Sequence, residues 1–332
     1  MEIGWGGRVD LLLEAGRPLP ELSHRFAIHE VRRRYRGTFA AYEDSAVLGA
    51  DLDRLRPGVF HSPWLRLPSR SPGPVAVTLH DLIPWAWGGP WMVRERLRYW
   101  PGKRLLRRAE AVVAVSEAAA ADGVHLAGVA RERITVVPEA SSLVAPPAGA
   151  AERVAARWGL AGPYLLHVGL LDRRKDPVGL VRAWREAQRA GAEVDLVLAG
   201  APAAGGGRLG GARRLGRVTD AELADLYAAA RCLLFPSRCE GFGLTPLEAM
   251  AAGCPVVAYD NSSLPEVVGE AGVLVRDGDA RALGHAAAAL VADPERRAEL
   301  SARGLERAAL FSWRRAAKET AAVYRRLLDR PS

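Results

Sequence analysis

No run of about 18 apolar residues occurs in this 332-residue chain, so no segment reads as a membrane-spanning helix. The N-terminal MEIGWGGRVD lacks the basic and apolar regions of a secretory signal, and a cytoplasmic protein is expected. Cysteine is scarce. Cys232, Cys239 and Cys254 make no CxxC pair and cannot all be bridged, so free thiols in a reducing compartment are the reading. His, Cys, Asp and Glu nowhere cluster at metal-ligand spacing, and neither a bound metal nor a resident cofactor is expected. Asp51-Leu-Asp53 spells a metal-binding DxD by chance, inside a helical stretch that ends at Pro57. The glycine-rich run 200–207 lacks the Gly-Lys-Ser/Thr of a phosphate-binding loop and reads as a flexible connection.

What the chain does contain is a rhythm. Hydrophobic residues make up 49% and charged residues 25%, which suits packed cores rather than disorder, and the length favours two of them. Short β-branched runs recur: Val75–Leu79 before His80-Asp81, Ala111–Val115 before Ser116, and Ile134–Val137 before Pro138. Alternating with helical patterns, they read as βαβ units around a buried parallel sheet. The small, proline-bearing stretch 141–150 reads as a linker. The rhythm then restarts with strands at 164–169, 194–200, 232–236 and 255–259, and helices at 177–190, 220–230 and from Thr245 onward. The expected architecture is α/β, with two consecutive doubly wound domains and ligand at the C-terminal ends of the strands.

Cations outnumber anions 46 to 38, a formal charge of +8. That excess suits phosphate-bearing ligands, anionic membranes or nucleic acid without choosing among them. Part of it gathers at Arg32, Arg33, Arg34 and Arg36, and part at Arg94, Arg96, Arg98, Lys103, Arg104, Arg107 and Arg108. Trp85, Trp87, Trp91 and Trp100 interleave with the second cluster, so segment 85–108 reads either as a peripheral membrane surface or as core tryptophans beside a solvated helix. No nucleic-acid recognition motif accompanies the charge, and nucleic acid is not an expected partner.

Residues 240–248, Glu-Gly-Phe-Gly-Leu-Thr-Pro-Leu-Glu, follow a strand and open a helix. Thr245 as N-cap, Pro246 at the first helical position and Glu248 three residues past the cap make a capping box, which gives Glu248 a structural reading. The cap leaves Gly241 and Gly243 unexplained. Glycines before a helix N-terminus let the backbone approach a ligand, and the free amides there favour an anion such as a diphosphate. Glu240 and Glu248 flank that position and suit hydrogen bonds from sugar or ribose hydroxyls. A second turn, Gly169-Leu-Leu-Asp-Arg-Arg-Lys-Asp176, also joins a strand to a helix. Its Arg174 and Lys175 are either solvated charges or a clamp for charge building up on a leaving group. His80 ends a strand in the first half, where cleft ligands sit, although a lone histidine is as readily structural.

From about Val75 to its end the chain resembles the family 4 retaining glycosyltransferases, which have the two-domain GT-B fold. Residues 240–248 match that family's E-x7-E motif, and Phe235-Pro-Ser237, Glu248 to Ala258, Asn261 to Gly269 and Phe311-Ser-Trp313 continue the match in order. The resemblance implies an acceptor-side domain at 1–145, joined by the last helix 315–332, and a nucleotide-sugar domain at 150–314. It implies that Glu240 holds donor-sugar hydroxyls, Glu248 the ribose, Arg174 and Lys175 the diphosphate, and that His80 serves the active site. Gly169, Gly241, Phe242, Gly243, Leu244 and Thr245 complete the implied substrate-binding set.

The chain departs from the pattern at Leu170, where many members carry arginine, and at its start. Phe60-His61-Ser62-Pro63 arrives early and Gly4–Gly7 is at best a remnant of the family's opening loop, so a reduced first domain is expected. The implied reaction is metal-independent transfer of a hexose from a nucleoside diphosphate sugar to a glycan or lipid-linked acceptor, with retention. The departing phosphate would assist on the attacked face. The segment His80 to Pro84 tilts the donor toward mannose-like sugars. The enzyme would work in the cytoplasm, or at the inner face of the membrane. A nucleotide-sugar-binding protein with weak or no transfer, or another GT-B enzyme such as an epimerase, are the alternatives.

Overall fold

The structure, a computed structural model, describes residues 9–14, 26–31, 40–200 and 209–329. The glycine remnant at 4–7, the cluster Arg32–Arg36 and residues 201–207 of the glycine-rich run lie outside the described residues. The chain divides into two compact units, 1–138 with 314–332, and 139–313.

The first unit runs through β1 (Val9–Glu14), β2 (Phe26–Val31), α1 (Ala40–Leu55), β3 (Phe60–Ser62), β4 (Val75–Leu79), α2 (Ile83–Ala86), α3 (Val93–Leu106), β5 (Ala111–Ala114), α4 (Glu117–Ala127) and β6 (Ile134–Val136). Strands β3-β4-β5-β6 form a parallel sheet in that order, while β1 and β2 pair by themselves, also in parallel. Asp51 and Asp53 lie on α1, where they pair with Arg54 and Arg70. Ser116 caps α4 by accepting from the amide of Ala119, and Gly128 closes that helix at φ +69°.

The second unit contains α5 (Ala150–Trp158), β7 (Tyr164–Val168), α6 (Pro177–Arg189), β8 (Asp195–Ala199), β9 (Arg213–Gly216), α7 (Asp220–Ala229), β10 (Cys232–Phe235), α8 (Leu244–Ala251), β11 (Val256–Asp260), α9 (Leu264–Val268), β12 (Val273–Arg276), α10 (Ala280–Ala292) and α11 (Pro294–Ala309). Its six strands are parallel in the order β12-β11-β10-β7-β8-β9. The chain builds outward from β7 through β8 and β9, then crosses to the opposite side of β7 with β10. The boundary between β7 and β10 is therefore the switch point of the sheet, and the crevice above the carboxyl ends of those strands is where such sheets bind ligands.

Apolar residues at helical spacing on α6, namely Leu180, Ala183, Trp184 and Ala187, bury against Leu165, Leu196 and Leu234 of the sheet and Leu283 and Ala287 of α10. A Cβ at Gly284 of α10 would collide with the carbonyl of Ala183, so these helices touch backbone to backbone there. The last helix, α12 (Trp313–Leu328), belongs almost wholly to the first unit. Its Ala316, Val323 and Leu327 pack on Ala76, Ala111, Val113 and Val137.

Candidate functional site

The two loops that flank the switch point are 169–176 after β7 and 236–243 after β10, and they hold both charged motifs. Gly169 opens the first loop at φ +124°, a left-handed backbone that favours glycine, and its amide donates to Ala199 at 2.9 Å. Asp176 closes the same loop at φ +46° and caps α6, accepting from the amide of Gly179. Between these fixed ends, the amide of Lys175 donates to Asp172 and the amide of Arg238 to the carbonyl of Arg174. The two loops are thus laced together by backbone as well as side chain.

Glu240 receives Lys175 Nζ at 2.5 Å, Arg174 at 2.8 Å and the Ser237 hydroxyl at 2.5 Å, all on Oε1. The side chains are 12% exposed at Glu240, 10% at Lys175 and 18% at Arg174, so these charges interact through protein rather than bulk water. Burial works to raise the Glu240 pKa, but Lys175 and Arg174 overcome it and hold the carboxyl below its usual range. Burial also pulls the Lys175 ammonium down in spite of Glu240. The Lys175 ammonium lies over the ring of Phe235 at 4.3 Å, a cation–π contact that fixes its height above the sheet.

Three residues of the β11–α9 turn hold Glu240 from behind. Its amide donates to Ser262 Oγ at 2.9 Å, Ser263 Oγ donates to the Phe242 carbonyl at 2.6 Å, and Asn261 donates to the Ser237 carbonyl at 2.9 Å. Ser262 adopts φ +45° to make its contact, an uncommon conformation for a residue with a Cβ. Asn261 to Gly269 falls within the resemblance, which gives these side chains no task; their signal in the sequence is the polar run Asn261-Ser-Ser263 right after a strand.

One expectation is overturned. Thr245 is not an N-cap: α8 starts at Leu244, preceded by Gly243 at φ +111°, and no side chain caps it. The left-handed glycine turns the chain into the helix two residues earlier than a threonine cap would. Glu248 therefore does not close a capping box, and its carboxylate accepts instead from the Tyr227 hydroxyl at 3.4 Å. Burial raises the pKa of Glu248. Tyr227 also lies 3.4 Å from the Thr245 carbonyl, and nothing in the sequence near residue 227 marks it. Gly241 lies in the loop, Leu244 is exposed, and Phe242 is buried edge-on against Phe311 at 5.8 Å.

His80 lies in the first unit, immediately after β4. Its Nε2 donates to the Pro63 carbonyl at 3.0 Å, and its ring rests against Trp64 at 5.1 Å. His61 is a strut of the same unit: Nδ1 meets the Tyr324 hydroxyl of α12 and Nε2 meets Thr78 at 2.9 Å, with burial lowering its pKa to about 4. None of Trp85, Trp87, Trp91 and Trp100 is buried, and Val93, Leu97 and Trp100 form an exposed stripe on α3 beside Arg104, whose guanidinium lies 5.3 Å from the Trp100 ring. Leu170 is exposed where the family's arginine would stand.

Two family profiles match the chain: Glycosyltransferase Family 4 over residues 5–142 and Glycosyl transferases group 1 over residues 162–293. The O-antigen chain mannosyltransferase B of Escherichia coli is 32% identical over 285 residues, 81% of this chain and 74% of that protein. A D-inositol 3-phosphate glycosyltransferase of Nocardia farcinica is 33% identical over 231 residues, and there the match spans 64% of this chain but only 51% of the relative. Among solved structures, Anabaena HepE in complex with UDP and glucose superposes with a TM-score of 0.72 at 18% identity, covering 97% of this chain and 100% of that one. With two Rossmann-like domains and the GT-B fold, the chain belongs to glycosyltransferase family 4.

Proposed function

We propose that the chain is a retaining, metal-independent hexosyltransferase that moves a mannose-like sugar from a nucleoside diphosphate to a glycan or lipid-linked acceptor. The observation that carries this reading is the buried cluster of Arg174, Lys175 and Glu240 at the switch point of the second sheet. Two cations held by one carboxylate can take a diphosphate without moving far. As the bond from the anomeric carbon to the diphosphate breaks, its electron pair passes to the phosphate oxygen, and Arg174 and Lys175 stabilise the charge gathered there. They supply the positive field that a metal provides in other transferases. Glu240 Oε2 accepts from hydroxyls of the donor sugar, Glu248 from the ribose, and the amides of Gly241 to Leu244 at the start of α8 face the diphosphate. The acceptor oxygen attacks the face the diphosphate leaves, and the departing phosphate oxygen takes its proton.

The mannosyltransferase relative supports a mannose donor and a role in polysaccharide assembly, and HepE, solved with UDP and glucose, supports a nucleoside diphosphate sugar. The reading places the enzyme in the cytoplasm, with the exposed stripe of α3 against the inner face of the membrane when the acceptor is lipid-linked.

A thermal-shift screen of GDP-mannose, UDP-glucose and UDP-N-acetylglucosamine identifies the donor, because a ligand of the native state raises its melting temperature. The anomer released or transferred is then read by proton NMR without added metal. An α product from an α donor is expected. A β product, or turnover only with added divalent metal, overturns the mechanism.

A further inference from the structure

We propose that Trp64 is a stacking platform for a pyranose ring of the acceptor, so that Trp64 and His80 together form a carbohydrate subsite on the first unit. Trp64 is the most exposed tryptophan among the described residues, at 65%. A single exposed aromatic means little by itself. Here the ring is held. The Trp64 carbonyl lies 2.8 Å from the buried Ser62 hydroxyl and accepts from the Arg66 amide at 2.7 Å, and Pro63 stiffens the residue before it. The loop is also clamped from below, because Gly102 of α3 has no Cβ and lets the Leu65 carbonyl lie directly on the helix. That contact accounts for a buried Pro101-Gly102 pair inside α3, where neither residue favours a helix.

The platform stands at a working position. His80 follows the carboxyl end of β4, bonds the carbonyl of Pro63, and sets its ring 5.1 Å from the indole at 37°. Asp81 is next in the chain and fixes its own turn by accepting from the amide of Ile83. A flat indole face beside an imidazole and a carboxylate is the chemistry of a sugar subsite: the C–H edges of a pyranose meet the negative face of the ring, and its hydroxyls meet the polar groups. A lipid surface calls for a different set, clustered apolar side chains among cations, and the molecule carries that set elsewhere, on α3.

The inference rests on the transferase reading, and its test separates the two. The full chain and its Trp64→Ala and Trp64→Tyr variants are assayed with α-mannotriose as acceptor and with donor alone, whose slow hydrolysis reports the donor site. Binding of α-mannotriose without donor is read by saturation-transfer NMR. Trp64→Ala is expected to raise the acceptor KM about tenfold and abolish the saturation-transfer signal, leaving donor hydrolysis and melting temperature unchanged. Trp64→Tyr is expected to recover most of the loss. An unchanged acceptor KM and signal overturns the platform. So does a parallel loss of donor hydrolysis and melting temperature, which would make the ring structural, and so does a loss confined to vesicle-bound acceptor, which would make it a membrane contact. A parent chain that binds α-mannotriose but turns over no nucleotide sugar overturns the transferase reading and leaves the platform standing; a parent chain that binds none overturns the platform.

Discussion

Lys175 and Glu240, 65 residues apart in the chain, close a buried ion pair at 2.5 Å across the switch point of the second sheet. Arg174 and Ser237 converge on the same carboxylate oxygen. The pair holds the loops after β7 and β10 in one arrangement before any ligand arrives, which lowers the ordering cost of binding.

The two partners have opposite expected effects on binding. Glu240→Gln leaves Arg174 and Lys175 facing each other without their counter-charge, so affinity for a free nucleoside diphosphate is expected to hold or rise. Transfer is expected to fall by about 100-fold or more, because a sugar-hydroxyl acceptor is lost where charge develops. Lys175→Ala is expected to weaken nucleoside diphosphate binding about tenfold or more. Isothermal titration alongside initial rates reads both, and equal weakening by both substitutions would contradict the division of labour.

If Glu248 holds the ribose as proposed, its half-buried carboxyl is expected to make that recognition sensitive to acid. Burial raises its pKa, with Tyr227 opposing and Asp220 adding to the rise. Protonation removes an acceptor, so donor affinity is expected to fall on acidification sooner than for an ordinary glutamate. Glu248→Gln should bind more weakly at neutral pH and lose that part of the pH dependence. Nucleoside affinity measured between pH 5 and 8 checks it, using a nucleoside without phosphates so that only the protein titrates.

Two histidines make the fold itself acid-labile. Burial lowers both His61 and His167 to about 4. Both are neutral in the folded chain and protonate near 6.5 when it unfolds, so the unfolded state binds more protons between those values. Their contribution to stability is therefore fully present above about 6.5 and is lost as pH falls toward 4. His167 donates from Nδ1 to the Leu234 carbonyl, and its Nε2 is buried with no partner among the described residues. His167→Phe should flatten the pH slope of the second unit's unfolding and leave the first unit's unchanged, as followed by urea melts at several pH values.

The α3 stripe gives a vesicle test. Leu97→Glu and Trp100→Glu place carboxylates on an exposed apolar line flanked by Arg94, Arg98 and Arg104. Cosedimentation with vesicles containing anionic lipid is expected for the parent, reduced several-fold by either substitution and weakened by salt. Neutral vesicles should retain little protein. Equal cosedimentation of parent and variants would remove α3 from the membrane.

Much of the second unit was legible in the sequence because its signals are local. Tyr164–Val168 and Cys232–Phe235 are short apolar runs bounded by turns, and the loops after them carry the charged motifs. The contacts that support Glu240 were not legible, since Ser237, Asn261 and Ser262 act through loop geometry that polar residues take in many sequences. The capping box at Thr245 failed because a left-handed Gly243 turned the chain first, and φ leaves no mark on residue order. Tyr324 meets His61 across 263 residues, a distance at which hydrophobic periodicity is silent. Trp64 belonged to no motif, and only its exposure beside His80 singles it out.

The return of α12 to the first unit has a consequence for biogenesis. The first unit's sheet waits for a helix made after the whole second unit, because Ala316, Val323 and Leu327 cover the sheet that contains Ala76 and Val113. Domains ordinarily fold in the order they leave the ribosome. Here the second unit, 139–313, is continuous and can close before α12 is made, whereas the sheet of the first unit stays open until α12 has left the ribosome. A stop codon shortly before Trp313 would spare the loops after β7 and β10 and uncover the apolar face of the first unit's sheet, turning a truncation after the second unit into an aggregation hazard in the first.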